Sequence, residues 1–162
     1  MPSAEVPPSF TVRLFRPQDA AAFRALNEAW ITRHFILEES DRITLNDPFG
    51  HILEPGGQIV VAEAADEVVG CCALIPVAPG VFELAKMAVA ESHRARGIGR
   101  KVLEIAIAQA RTMGAHTLYL ESNSVLANAV HLYESLGFRH IPVDRRHPSA
   151  YARADVFMDL KL

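Results

Sequence analysis

The chain begins with a polar–apolar alternation that changes to helical spacing. Residues 11–16 alternate polar and apolar side chains, which predicts a half-buried strand. Pro17 and Asp19 favour the first turn of a helix, because proline fits that turn and acidic charge suits its N–H groups. A second short helix is expected over residues 41–46, before the prolines and glycines of residues 48–57. The apolar residues at helical spacing in the first helix are Ala21, Phe23, Leu26, Trp30, Ile31 and Phe35.

Three strands are predicted in the middle of the chain. Residues 58–63 and 68–75 are apolar runs of strand length, and the four residues between them suit a hairpin. Pro79 and Gly80 signal a further turn, so residues 81–89 should form a third antiparallel strand.

Helical periodicity returns after the third strand. A helix is predicted over residues 97–113, with Gly114 at its end and a buried strand over residues 115–120 after it. One face of this helix should be buried, formed by Leu103, Ala106, Ile107, Ala110 and Met113.

The last part of the chain predicts one more helix and two strands. The helix should span residues 124–136, with Ser124 as its N-cap and Gly137 as its end. Strands over residues 138–143 and 153–161 should close the chain.

The order of these elements predicts a mixed α/β fold (α+β in arrangement). The predicted order is one strand, two helices, three strands, a helix, a strand, a helix and two closing strands. This order gives a central, mostly antiparallel sheet with one parallel crossover, flanked by about four helices. Because the 162 residues are half apolar, they can form one domain with a sizeable core. We expect a flexible leader over residues 1–10, which hold three prolines, and a single domain over residues 11–162.

The turn before the third predicted helix has the composition of a phosphate site. The first N–H groups of a helix lack acceptors within the helix and carry about half a positive charge. Gly97 and Gly99 have no Cβ atoms to keep a ligand away from the backbone. Four cations within eight residues suit a ligand with several phosphates: Arg94, Arg96, Arg100 and Lys101.

Two motifs resemble the signatures of the GCN5-related N-acetyltransferase (GNAT) family. Arg94-x-x-Gly97-x-Gly99 resembles its acetyl-CoA signature, Gln/Arg-x-x-Gly-x-Gly/Ala. Residues 128–138, which read Asn-Ala-Val-His-Leu-Tyr-Glu-Ser-Leu-Gly-Phe, resemble the second signature. Residues 153–160 resemble the last strand of the family, so the resemblance covers about half of the chain.

The resemblance implies a GNAT-like fold, acetyl-CoA as co-substrate and a primary amine as acceptor. It implies that the N–H groups of residues 96–100 hold the pyrophosphate. The backbone of Met87 and Val89 would pair with the pantetheine arm like an added strand, and Asn128 would contact the same arm. The cofactor-binding residues expected in this way are Met87, Val89, Arg94, Arg96, Gly97, Ile98, Gly99, Arg100 and Asn128.

Tyr133 matches the family position whose phenol lies beside the sulfur. A phenol with a pKa of about 10 stays protonated at neutral pH and can donate to a thiolate whose thiol has a pKa near 8.5. Tyr133 is therefore the candidate general acid. It also lies on the apolar face of its helix, so a packing role stays open.

Glu83 lies on the strand where several family members place a carboxylate base. An unperturbed glutamate, with a pKa of about 4.3, is a weak base and would need burial or a relaying water. In a regular strand Glu83 would share a face with Met87 and Val89, whereas a bulge before the glycine turn would change that facing. The alternative is a solvated strand residue.

Composition argues against nucleic-acid binding, export and insertion into a membrane. The formal net charge of −3 lacks the basic character of a nucleic-acid binder. The first residues do not resemble an export signal, and no apolar stretch is long enough to span a membrane. Cys71 and Cys72 are adjacent in a predicted strand and should point to opposite faces as reduced thiols, which suits a cytoplasmic protein.

Metal and covalent chemistry find little support in the sequence. The seven histidines are scattered, without His-x-x-x-His spacing, so no metal site is expected. No Gly-x-Ser-x-Gly motif occurs, so a serine nucleophile has no support either.

Two functions other than acetyl transfer are compatible with parts of the sequence. Gly97 and Gly99, followed by a strand and Glu121, imitate a dinucleotide-binding fingerprint, but Val102 stands at the third glycine and the antiparallel hairpins do not fit. A non-catalytic acyl-CoA sensor of the GNAT fold is the other alternative.

The acceptor itself is a small-molecule or peptide amine whose identity is open, as is homodimerisation. In the family the acceptor site lies between the first helices and the closing strands, and its acidic residues here suggest a cationic acceptor. The lining residues implied are Trp30, Phe35, Glu38, Glu39, Asp41 and Tyr151.

Overall fold

A seven-stranded sheet runs through the centre of the protein. The computed structural model describes residues 10–162, so the leader predicted over residues 1–10 lies outside the described residues, apart from Phe10. The strands are β1 Thr11–Leu14, β2 Gln58–Ala64, β3 Glu67–Ala78, β4 Val81–Val89, β5 Thr117–Ser122, β6 Arg139–His140 and β7 Val156–Lys161. They lie in the order β1-β2-β3-β4-β5-β7-β6. Neighbours are antiparallel except β4 and β5, which are parallel.

Helices cover both faces of the sheet and enclose one core on each. The α-helices are α1 Ala20–His34, α2 Glu39–Asn46, α3 Ile98–Thr112 and α4 Ala127–Ser135. Short 3-10 turns lie at Pro17–Asp19, Glu91–His93 and Val143–Arg145, and a π-helical turn lies at Phe49–Leu53. One core lies between the sheet and α3 and α4, and the other between the sheet and α1 and α2. The predicted mixed α/β fold with one parallel pair is confirmed.

None of the helices between residues 10 and 162 has the length and apolar character that crossing a membrane requires.

The start of α4 differs from the prediction. The helix begins at Ala127, and Leu126 occupies the N-cap position instead of Ser124. Ser124 binds elsewhere, because its N–H and its hydroxyl both donate to the carboxylate of Asp155, at 2.8 and 2.9 Å. The segment between β5 and α4 is thereby fastened to the residue just before β7.

The two closing strands are shorter than predicted. Residues 138–143 form only the short strand β6, because Pro142 has no N–H to donate and is followed directly by a 3-10 turn. The strand predicted over residues 153–161 begins at Val156. Residues 149–155 instead cross the face of the sheet near α2.

The adjacent cysteines face opposite cores. Cys71 packs in the core beside α1 and Cys72 in the core beside α3, as strand alternation predicts. Both thiols are free and fully buried. Burial raises the pKa of Cys71 to about 12, so this thiol stays protonated and unreactive.

A bulge in β4 decides which way its side chains point. Ala85 pairs with Ala73 and Ala88 pairs with Cys71, so β4 carries one residue more than β3 over this stretch. The extra residue is Lys86, whose φ is +53°. Because of it, Leu84 and Met87 both pack toward α3, although they are three positions apart in the strand. Of the two alternatives that the sequence allowed, a regular or a bulged strand, the structure has the bulged one. Glu83 therefore does not share the face of Met87.

The parallel pair separates along its length. Pairing between β4 and β5 covers residues 81–83 and 117–119. β4 nevertheless continues to Val89 and β5 to Ser122. The second half of β4 thus has a free edge on the side of β5.

Candidate active site

A cleft of about 590 Å³ opens where β4 and β5 separate. It lies between the second half of β4, the N-terminus of α3 and the first turns of α4, with Trp30 and His34 of α1 on the opposite wall. Most of the predicted cofactor residues line it: Met87, Val89, Arg94, Gly97, Ile98, Gly99 and Asn128.

The turn into α3 presents backbone N–H groups at one end of the cleft. Gly97 is the N-cap and has a φ of +78°, a conformation that only glycine adopts at no cost. The N–H of Lys101 is the first to bind within the helix, to the carbonyl of Gly97 at 3.1 Å. The N–H groups of the residues before it are therefore available to an anion. The side chain of Ile98 is buried in the core, so this residue offers only its backbone.

Gly99 allows α3 to pack closely on β4. A Cβ atom at this position would lie 3.2 Å from the terminal methyl of Met87. At Gly97, by contrast, no protein atom lies within 4 Å of such a Cβ. The backbone of the turn is therefore open to a ligand at residue 97 and packed against the strand at residue 99.

The three predicted arginines occupy different places around the turn. Arg94 lines the cleft, and its guanidinium lies 4.7 Å from the ring centre of Trp30. Arg100 reaches across to α4 and donates to the Ser135 hydroxyl at 2.8 Å. Arg96 is exposed and is not among the residues that line the cleft. The structure thus brings only Arg94 to the cleft wall.

Tyr133 lies where the cleft meets a second, smaller pocket. Its side chain lines both spaces and is only 8% exposed. Its hydroxyl donates to the sulfur of Met87 at 3.8 Å, and sulfur is a weak acceptor. Burial raises the pKa of Tyr133, with a smaller contribution from Cys72, so the phenol stays protonated. A protonated phenol with no strong partner is suited to donate to a developing anion.

The second space, the inner pocket, has a volume of about 110 Å³ and contains Glu83. Burial raises the pKa of Glu83 to about 7; the charge of Glu121 adds to this rise, and Lys86 opposes it. A carboxylate with a pKa near neutral pH is a much stronger base than an ordinary glutamate. Glu83 is partly buried, so its surroundings are of the kind that a catalytic base would need.

Glu121 on β5 is the second carboxylate of the inner pocket. One of its oxygens accepts a hydrogen bond from the Tyr119 hydroxyl at 2.8 Å, and the other accepts one from the Ser149 hydroxyl. These two hydrogen bonds hold the Glu121 carboxylate in the pocket, where its charge contributes to the raised pKa of Glu83.

The acidic residues expected to attract a cationic acceptor are largely engaged inside the protein. Asp41 is fully buried and binds both Lys86, at 2.6 Å, and Arg153, at 2.7 Å. Glu38 accepts a hydrogen bond from Arg153 at 3.2 Å, and Glu39 is exposed on α2. This corrects the expectation that Glu38, Glu39 and Asp41 line the acceptor site: none of them lines the inner pocket, and two cations offset the charge of Asp41.

Similarity to a known family identifies the class of protein to which this site belongs. A model of the acetyltransferase (GNAT) family matches residues 20–138. The chain belongs to the acetyltransferase (GNAT) family. The family prediction from the two signatures is thereby confirmed, and the cleft and the inner pocket lie at the centre of a GNAT domain.

Relatives and solved structures agree with this assignment. The N-acetyltransferase YjgM of Escherichia coli K12 is 38% identical over 91 residues, which are 54% of this chain and 54% of YjgM. The ribosomal protein bS18-alanine N-acetyltransferase of Salmonella typhimurium is 35% identical over 95 residues, 58% of this chain and 64% of that protein. The match to YjgM thus spans about half of its length. The structure of the acetyltransferase yncA of Salmonella typhimurium with its cofactor acetyl-CoA has a TM-score of 0.71, at 22% identity over 94% of each chain.

The sheet topology excludes the alternative of a dinucleotide-binding fold. A dinucleotide fold needs a parallel sheet around its glycine turn, whereas five of the six strand pairs here are antiparallel. Within the described residues, no three His, Cys, Asp or Glu side chains are grouped in a way that could hold a metal ion.

Sequence reasoning missed three residues of the GNAT inner pocket as parts of an active site: Lys86, Glu121 and Arg153. Glu121 was considered only as a ribose-binding acid. Glu83 pairs with Tyr119 across the parallel strands, and Glu121 follows two residues later on the same face of β5, a pairing that only the structure establishes. Lys86 and Arg153 gave no local signal, because their partner, Asp41, is distant in sequence.

Proposed function

We propose that the protein moves the acetyl group of acetyl-CoA to a primary amine of a small molecule or peptide, by direct attack within a ternary complex. The observation that most supports this proposal is the position of Tyr133, which lines both the cleft and the inner pocket. A thioester in the cleft and an amine in the inner pocket would meet beside its hydroxyl. Membership of an acetyltransferase family supports the same reaction class.

Acetyl-CoA would bind with its pyrophosphate on the N–H groups of residues 96–100. The positive end of α3 and the guanidinium of Arg94 on the cleft wall favour such an anion, and Arg96 and Arg100 add positive charge to the same turn. The pantetheine arm would extend along the free edge of β4 at Met87 and Val89, where the backbone has no partner strand on the side of β5. Asn128 would contact this arm from the opposite wall of the cleft.

Glu83 and Tyr133 would perform the two proton transfers. Glu83 removes a proton from the bound ammonium, directly or through a water, and the freed lone pair forms a bond to the thioester carbon. As the tetrahedral intermediate collapses, the C–S bond breaks and its electron pair leaves on sulfur. Tyr133 donates its proton to this thiolate, and the second proton of the amine passes to solvent. The proton held by Glu83 then returns to the Tyr133 phenolate through solvent, so both side chains regain their starting forms. The products are the acetylated amine, CoA and one proton in solution.

The inner pocket suits a small amine or the end of a peptide. Its volume of about 110 Å³ is small, and four aromatic side chains line it: Trp30, Phe35, Tyr133 and Tyr151. Because Asp41 is already neutralised, we do not assign a polycation as acceptor. The Salmonella typhimurium relative is named for an alanine of ribosomal protein bS18, which supports including peptide amines among the acceptors tested.

Calorimetric titration with acetyl-CoA, with NADH as control, tests the cofactor half of this proposal. Thiol release is then measured across a panel of amino acids, small amines and peptides. Binding of acetyl-CoA with amine-dependent release is the expected result. Binding without release from any amine would favour the acyl-CoA sensor, and binding of NADH alone would contradict the proposal.

A further inference from the structure

The bulge in β4 is built on an unfavourable backbone conformation. Lys86 has a φ of +53°, which side chains other than glycine rarely adopt. Such a conformation persists only where the surroundings hold it in place. The Nζ atom of Lys86 donates to Asp41 at 2.6 Å and to the Tyr151 hydroxyl at 2.8 Å. The Cys71 thiol donates to the carbonyl of Lys86 at 3.4 Å.

Asp41 is the anchor of these contacts. It is fully buried on α2, and the Glu38 N–H donates to it at 2.9 Å. Burial by itself would raise the pKa of Asp41, but hydrogen bonds from Arg153 and Lys86 lower it to about 2. Asp41 is therefore ionised at neutral pH and provides the charge that keeps the ammonium of Lys86, which is 5% exposed, inside the protein.

We infer that Asp41 is a positioning residue for the proposed acetyl transfer: through Lys86 it fixes the bulge that points Glu83 away from the face of Met87. The inference rests on the proposed function. A shift of one residue in a strand reverses the facing of its side chains. If Lys86 relaxed to an extended conformation, either Glu83 would leave the inner pocket or Met87 would leave the cleft.

Asp19 offers a matched control on the other side of the molecule. It is 3% exposed, accepts two hydrogen bonds from Arg13 at 2.7 and 3.0 Å, and accepts one from the Arg16 N–H at 2.7 Å. Asp41 has the same arrangement of a buried carboxylate, an arginine and a backbone N–H three residues earlier. Asp19 lines neither the cleft nor the inner pocket.

Amide hydrogen exchange tests the structural half of the inference without any assay of activity. Asp41→Asn is expected to accelerate exchange over residues 84–89 by about tenfold or more relative to Asp19→Asn, at matched distance from each melting temperature. Equal exchange over residues 84–89 in the two variants would overturn the role of Asp41.

Two substitutions at Lys86 test the catalytic half. Lys86→Gly and Lys86→Ala both remove the ammonium, but only glycine adopts a positive φ freely. We expect the glycine variant to have a kcat about tenfold above that of the alanine variant. Adding Lys86→Gly to Asp41→Asn should also raise kcat above that of Asp41→Asn, a rescue that a general packing defect would not give.

The outcomes separate this inference from the proposed function. Equal kcat in the two Lys86 variants would show that the backbone at this position does not direct catalysis. Wild-type protein that releases no thiol with any amine would refute the proposed function, and the exchange comparison would still decide whether Asp41 holds the bulge.

Discussion

Glu83 of β4 and Tyr119 of β5 are the last partners of the parallel pair, and the two strands separate beyond them. The candidate base therefore lies at the point where the sheet opens. Tyr133 approaches the same region from α4, so the two candidate catalytic residues come from different layers of the fold.

Replacement of Tyr133 by phenylalanine should reduce turnover without weakening cofactor binding. Loss of a general acid typically lowers kcat by roughly 10²-fold. Because the hydroxyl donates its hydrogen bond to sulfur, a weak acceptor, the melting temperature should change little. Steady-state kinetics, calorimetry with acetyl-CoA and thermal melting check the three parts. Unchanged kcat would remove Tyr133 from the mechanism.

The pH dependence of kcat/KM should report on Glu83. Its pKa is about 7, so as the pH falls through this value Glu83 becomes protonated, the base is lost and the rate decreases. The charged groups that act on it are Glu121 from β5 and Lys86 from its own strand. Glu83→Gln should lower kcat by about 10²-fold or more and abolish this limb of the profile. A limb that persists near pH 7 in Glu83→Gln would assign it to another group.

Replacement of Glu121 by glutamine separates the roles of the two carboxylates. Removing its negative charge should lower the pKa of Glu83, so the acid limb should move to lower pH while activity at high pH is largely kept. The profile of kcat/KM from pH 5 to 9 measures this shift. Loss of activity at every pH, with normal folding, would identify Glu121 as the base instead.

Two glycines at opposite ends of α3 give a controlled test of the anion site. Gly97 and Gly114 both have positive φ, +78° and +86°, and neither has a protein atom within 4 Å of an added Cβ. Valine at either position should strain the backbone and lower stability by a similar amount. Only Gly97→Val should abolish binding of acetyl-CoA, as measured by calorimetry. Normal affinity in Gly97→Val would argue against pyrophosphate binding at this turn.

The elements of the fold could be predicted because their signals are local. Helix α3 carries an apolar residue on each turn of one face, and Gly114 follows its end, so its position was predicted within one or two residues. Most of the residues expected to bind the cofactor line one cleft because residues 87–99 are close together in sequence.

The ion pairs beside the inner pocket could not be predicted because they are long-range, although Trp30, Phe35 and Tyr151 do line the pocket as expected. Asp41 meets Lys86 and Arg153, which are 45 and 112 residues away in sequence. A positive φ is normally indicated in a sequence by glycine or asparagine. Lys86 is neither, so the sequence contained no sign of the bulge. The acidic residues of α2 were consequently interpreted as free charge.

The inner pocket is enclosed by residues from both ends of the chain, Trp30 and Phe35 on one side and Tyr151 and Arg153 on the other. The cofactor cleft comes mainly from the stretch between them, and the family match ends at residue 138, before Tyr151 and Arg153. Tyr151 and Arg153 thus line the inner pocket without lining the cleft. Under the proposed function, a substitution at either residue would alter the choice of amine and leave the acetyl-CoA side of the reaction largely unaffected.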